Sequence, residues 1–210
     1  MRNFLSLVFV LAICSTSLSA QHLGLRAGLN FTNIDVETNG ISLSFDAKTN
    51  LMFGAFYDIP VAGNGIVLSP EVSYVGRGYG VEFDISGTNI SSSVNLNYLD
   101  IGLLAKIMIA SQESLGFYVG AGPIYSYALN GEVAENGTAT AIEFDDNDGF
   151  NRSNINLAGI AGLTFGGNFF VEGRYMVSLN SLTEEDPTFD GDAKWTSLGI
   201  NAGIRLPIGN

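Results

Sequence analysis

Charge is scarce in this chain of 210 residues: 14% are Asp, Glu, Lys or Arg, against about a quarter in an ordinary soluble domain. Basic residues are scarcer still. Nine Lys and Arg stand against 21 Asp and Glu, a formal net charge of −12. That excludes the basic footprint that nucleic acid or anionic lipid headgroups require. Cysteine occurs once, at Cys14, and histidine once, at His22. Long apolar runs are also missing. The best candidate, YLDIGLLAKIMIA, is interrupted by Asp100 and Lys106, and nothing approaches the roughly 18 consecutive apolar residues of a transmembrane helix. Yet 46% of the chain is hydrophobic, too much for a disordered segment. A water-soluble surface needs more charge than this, so part of the exterior is expected not to face water.

The first twenty residues, MRNFLSLVFVLAICSTSLSA, place Arg2 before a short apolar run and end in small polar residues, the layout of a secretory signal. Cleavage is expected after Ala20. A lipid anchor on Cys14 is the competing reading, and the bulky Ile13 before it argues against that reading. Removing residues 1–20 takes away Arg2 and Cys14, leaving eight basic and 21 acidic residues and a net charge of −13. An exported chain without cysteine has no disulfide to stabilise it, so closure and packing must suffice.

Residues 21–210 read as one domain. Segments of about ten residues with period-2 hydrophobicity recur near 23–33, 50–59, 66–79, 93–109, 115–130, 152–165, 168–179 and 194–208. Short, turn-rich links at 60–65, 110–114 and 166–168 alternate strictly with long, mostly acidic ones near 34–49, 80–92, 131–151 and 180–193. The expected fold is therefore all-β: an eight-stranded antiparallel up-and-down transmembrane β-barrel with short turns at one end and long loops at the other. Parity agrees. Leu23, Leu25, Ala27 and Leu29 oppose Gly24, Arg26, Gly28 and Asn30, and Phe169, Val171 and Tyr175 oppose Phe170, Glu172 and Arg174. For LMFGAFYDI the register is ambiguous.

Alternation alone does not separate a membrane barrel from a soluble lipocalin-like carrier, because the two differ only in which face points out. The polar face decides. It is mostly Gly, Asn, Ser and Thr, with one or two charges per strand, too few for a water-facing exterior. The apolar face is thus expected to meet lipid, with Tyr57, Phe117, Tyr127, Phe165, Phe169 and Tyr175 near strand ends as interfacial girdles. Arg26, Glu71, Arg77, Asp100, Lys106, Glu172, Arg174 and Arg205 then point inward as a lumenal ion network. An eight-stranded lumen is just wide enough for side chains to fill.

Other acids cluster in the long links, and Asp145, Asp146, Asp148, Asp186 and Asp190 are the candidates for loop contacts to divalent cations. The spacing fits no defined calcium loop: Phe144 and Ile155, then Thr188 and Ser197, stand where ligands belong. No catalytic constellation is apparent, since His22 starts the first strand, far from the outer half of a barrel, and is expected in a mobile terminal segment. Gly-rich stretches such as VGRGYG open no helix and are not phosphate loops.

The set LGLRAGLNFTNI, FGAFYDIPVAGNGIVLSPEVSYVGRG, LNYLDIGLLAKI, GFYVGAGPIYSY and FFVEGRYMVSL resembles the porin-like, PorT-like outer membrane β-barrel family of the Bacteroidetes. The resemblance covers nearly the whole chain after residue 20. It implies a barrel in the outer membrane of a Gram-negative bacterium and carries no functional residues with it. The expected protein is monomeric and surrounded by outer-membrane lipid. It has a filled lumen and acidic extracellular loops, uses no cofactor, and acts in a structural or binding role rather than as a catalyst. A narrow pore for small solutes and a secreted lipocalin-like carrier of an apolar ligand are the alternatives.

Overall fold

A strand whose side chains alternate in polarity must place one set against each of two different environments. The computed structural model shows both environments. It describes residues 21–38, 41–44, 46–62, 65–85, 88–112, 115–135, 138–142, 144, 151–182 and 191–208. The strands are β1 (Gln21–Thr38), β2 (Ile41–Ser44), β3 (Asp46–Ala62), β4 (Ile66–Ile85), β5 (Thr88–Gln112), β6 (Leu115–Glu135), β7 (Thr138–Ala141), β8 (Ser153–Phe165), β9 (Phe169–Ser178) and β10 (Gly191–Ile208). Eight of them, β1, β3, β4, β5, β6, β8, β9 and β10, pair antiparallel in sequence order. The last pairs with the first from Gln21↔Ile208 to Thr38↔Gly191, which closes the ring. The short β2 and β7 extend β1 and β6 at the end away from the turns.

The strands are longer than the sequence suggests. The link expected over 80–92 is largely ladder, paired without a break out to Ile85↔Thr88. Likewise β1 reaches Thr38, β3 starts at Asp46 and β6 reaches Glu135. Polar and acidic composition there marks water on the outside of a continuing sheet, not a change to loop. Residues 183–190 of the last link lie outside the described residues.

Exposure shows which face points out. In β8 every second residue is buried from one end to the other, and the exposed set is Ile155, Leu157, Leu163 and Phe165 while Asn154 and Asn156 are buried. Leu25 is 49%, Ile200 54% and Tyr175 53% exposed, whereas Arg26, Asn201 and Glu172 are at most 4% exposed. An apolar exterior around a polar interior is the arrangement lipid selects. It overturns the soluble-carrier reading, which needs Leu25, Leu29, Phe117 and Val171 around a cavity, since Leu25, Leu29 and Val171 are exposed. Of the expected girdle, Phe165 and Phe169 stack with centroids 6.0 Å apart, and Tyr127 and Tyr175 are exposed. Phe117 is half-buried, and so is Tyr57, whose hydroxyl bonds Gln21 Oε1.

The ambiguous second segment resolves with Met52, Phe56 and Asp58 inward and Leu51 and Phe53 outward. A register jump between Asn97↔Asn130 and Tyr98↔Ala128 leaves Leu129 unpaired as a bulge. One inserted residue reverses the parity of the strand beyond it, so Ala128 is buried on one side and Val133 packs inward on the other. At the turn end Gly166 and Gly167 have φ of 59° and 77°, a region glycine enters without steric cost.

Ile200→Lys places a charge on the lipid face midway along β10, and it should cost about 2–4 kcal/mol of folding free energy. Urea titration in lipid vesicles measures this, and Thr140→Lys on the exposed β7 serves as the control expected to change little.

Candidate functional site

Everything that points into the ring must fit a space of side-chain width, so the lumen is the site to build. It has four levels, ordered from the turn end. At the mouth Asp58, Lys106 and Arg205 meet: Lys106 Nζ lies 2.9 Å from Asp58 Oδ1 and Arg205 Nη1 3.8 Å from Asp58 Oδ2.

The second level is a closed ring of two arginines and two glutamates. Arg174 donates to both oxygens of Glu71, at 2.5 and 3.0 Å, the bidentate geometry that makes such pairs strong. Arg26 Nη1 is 3.0 Å from Glu71 Oε2 and 3.7 Å from Glu172 Oε1, and Arg174 Nη2 is 3.2 Å from Glu172 Oε1. Arg26 also donates to Ser73 Oγ at 2.7 Å, and the Tyr118 hydroxyl donates to Glu172 Oε2 at 3.0 Å. All four ring members are 6% exposed or less. Four buried charges in so narrow a lumen persist because each touches two of opposite sign.

In the third level Arg77 donates to Asp100 Oδ2 at 2.5 Å and lies 4.6 Å from the centre of the Tyr98 ring. Beside it Asn156 links Ser126 and Ser178 across three strands, donating at 2.8 Å and accepting at 2.6 Å. The fourth level is apolar. Ile34, Val94, Leu96, Tyr98, Leu182 and Trp195 form one buried cluster, with Trp195 Nε1 donating to the Tyr98 hydroxyl at 3.2 Å.

Small residues make room for the aromatic walls of the lower levels. A Cβ built on Gly24 would lie 2.1 Å from the Phe56 ring, and one on Gly162 would lie 2.3 Å from that of Tyr118. Both rings therefore lie against the barrel wall, over strand positions that carry no side chain.

All eight residues expected in the lumen are there, but in three groups instead of one network. Asp58 was missed, because it falls in the segment whose register was ambiguous. The only available signal was the need for a fourth acid near Lys106 and Arg205. Trp195, Tyr98 and Leu96 also fill the lumen, which the sequence reading describes by its charges alone. His22 is not in a mobile terminus: it pairs with Pro207 and Asp58 within the wall. Asp145, Asp146, Asp148, Asp186 and Asp190 lie outside the described residues. Among the described residues no group of three or more His, Cys, Asp or Glu could hold a metal ion, and no helix is long and apolar enough to cross a membrane.

A closed antiparallel ring with an apolar exterior and a polar, ion-paired interior defines a transmembrane β-barrel. Over residues 17–184 the sequence matches the outer membrane protein beta-barrel domain, and the chain belongs to that family. It is accordingly an outer membrane protein of the Gram-negative type. No curated protein sequence matches it. Similar solved structures include the attachment invasion locus protein Ail of Yersinia pestis, in complex with the heparin analogue sucrose octasulfate. Ail is 18% identical over 89% of this chain and 99% of its own, with a TM-score of 0.43. Neisserial surface protein A is 14% identical over 90% of this chain and 97% of its own, with a TM-score of 0.46. The outer membrane enzyme PagL is 15% identical over 85% and 99%, with a TM-score of 0.38. Likeness at this level carries nothing about ligand or activity.

Glu71→Gln leaves Arg26 and Arg174 sharing a single carboxylate. Breaking a buried pair from one side should cost about 3–5 kcal/mol, read as a lowered urea midpoint in vesicles. Glu135→Gln, on an exposed strand extension, should leave the midpoint unchanged.

Proposed function

We propose that this protein is a closed, non-conducting barrel of the outer membrane, a scaffold that displays extended acidic hairpins at the cell surface and acts there in a structural or binding role. The observation that carries this is the stacking of two unlike seals in one lumen. The ring of Arg26, Glu71, Glu172 and Arg174 fills the membrane level, and the cluster around Trp195 and Tyr98 fills the level above it. An ion would have to break a cyclic set of buried pairs and then cross a mainly apolar layer, whose Trp195 indole and Tyr98 hydroxyl already bond each other, with little to replace its water, each step costing several kcal/mol.

A non-catalytic role accords with the single histidine. His22 sits at the turn end of the wall, opposite the hairpins that would meet a substrate from outside. The PorT-like branch of the Bacteroidetes is the narrower assignment we favour, on the five strand segments that resemble it. Residues 1–20 are assigned as the export signal on their charge and apolar pattern. The protein is a monomer in this reading, because the closed eight-stranded ring leaves no strand edge to share at the membrane level.

Planar-bilayer recording of the purified protein tests the reading. No steady unitary current is expected from the native chain. Steady currents that disappear or change size in Glu172→Gln or Arg174→Gln would replace the scaffold with a narrow pore.

A further inference from the structure

At the turn end of the lumen the charge does not balance. Two arginines meet two glutamates in the ring, and Arg77 meets Asp100, but at the mouth Lys106 and Arg205 share the one carboxylate of Asp58. These three groups border a cavity of about 190 Å³. Lys106 and Asp58 are 4% and 5% exposed and the Arg205 side chain 15%, so most of the excess positive charge is withdrawn from water, where an unmatched charge is costly. Arg205 Nε is buried without a hydrogen-bond partner, and its Nη1 stands 3.8 Å from Asp58, outside hydrogen-bond range.

His22 also borders the cavity, and the remainder of the lining is of the opposite character. Phe56, Pro60, Val67 and Met108 supply an apolar wall, and Lys106 Nζ lies over the Phe56 ring at 4.1 Å. Tyr118 closes the cavity toward the ring of ion pairs, its hydroxyl already committed to Glu172. The cavity is thus a blind cup with one cationic side and one apolar side. Its lining residues come from strand positions next to the short turns, so it opens at the turn end.

We propose that this cup binds a small organic monocarboxylate, with the carboxylate between Lys106 and Arg205 and a compact apolar body against Phe56, Val67 and Met108. A single negative charge matches the single excess positive charge. Inorganic phosphate would leave the apolar wall without a partner, and a neutral apolar molecule would leave the second cation unmatched. The inference goes beyond the scaffold reading and does not depend on it, since Lys106, Arg205, Asp58 and the apolar wall stand at the turn end whether or not the ring above them conducts.

Isothermal titration of the folded full chain in detergent tests it, with benzoate as probe and benzyl alcohol and inorganic phosphate as comparisons. Benzoate should bind, and each comparison should bind at least about tenfold more weakly, as expected where charge and apolar contact act together. Lys106→Met should weaken benzoate about tenfold, and Asp58→Asn, which releases both cations from their internal carboxylate, should tighten it by a similar factor. Should Lys106→Met or Asp58→Asn fail to show the faster unheated gel mobility of the folded barrel, Arg205→Gln gives the same reading as Lys106→Met. The proposal is overturned by no benzoate heat in the native protein, by equal affinity for benzyl alcohol, by equal affinity for phosphate, or by a folded Asp58→Asn variant that binds benzoate no more tightly than the native chain.

Discussion

The pairing of β10 with β1 is the interaction on which the rest depends. In hydrocarbon an unpaired backbone N–H or C=O has no water to turn to and costs several kcal/mol, so a sheet with two open edges cannot sit there. Eighteen successive residue pairs join the first strand to the last, and no edge remains at the membrane level. Closing a ring with only eight strands also sets its bore. Each inward side chain must then fit a narrow shared axis, and each outward one must be acceptable to lipid.

Those two demands explain why the interior is charged at all. With the apolar residues assigned to lipid, the alternate positions are polar by strand parity, and polar groups withdrawn from water must find one another. Glu71 and Glu172 each contact both Arg26 and Arg174, so no member of the ring depends on a single partner. Such a ring adds little net stability over a well-packed apolar filling, because desolvating four charges offsets most of their attraction. Its value lies in definition: a strand that slipped by one residue would turn these charges into lipid and bring leucines to the axis. The rings of Phe56 and Tyr118 over Gly24 and Gly162, with the cluster of Leu104, Ile124, Ile160 and Met176, complete the lower filling.

Much of this was legible in the sequence, for a physical reason. Strand parity is a local property, and lipid on one side makes the polarity contrast of segments such as LGLRAGLN and FFVEGRYMV large. Eight strands, their order, the lipid-facing set and eight lumenal charges follow from that contrast. Strand length did not, because above the membrane water replaces lipid outside the sheet and the contrast that marks a strand fades, as in VEFDI and TNISSSV. Asp58 did not, because LMFGAFYDI has apolar residues at both parities. The division of the charges into separate groups depends on which strands face one another across the bore, a three-dimensional relation that no single segment carries.

The loss of contrast has a second meaning, visible within β5 alone. Near its middle and lower part Leu99, Ile101 and Leu103 point outward while Asp100 and Lys106 point inward, but in its upper part Asn95 and Asn97 are on the outer face and Val94, Leu96 and Tyr98 are buried. The barrel passes from inside-out to ordinary along its own axis. The hydrophobic effect needs water on the other side of the wall. Below Tyr98 the exterior is lipid, and ion pairs share the lumen with a buried cluster of Leu104, Tyr118, Ile124, Ile160 and Met176; above Tyr98 the outer face turns polar, and the interior is an aromatic and aliphatic core without ion pairs among the described residues, as in a soluble protein. Arg77 sits at the change, paired with Asp100 on one side and stacked on Tyr98 on the other. On the outer face at the same height Arg152 lies over the Tyr127 ring at 4.9 Å, where an amphipathic side chain suits the boundary of a membrane. The position of the bilayer along the chain is therefore written in which face of each strand carries its polar residues, and the level at which that assignment reverses marks the outer membrane surface.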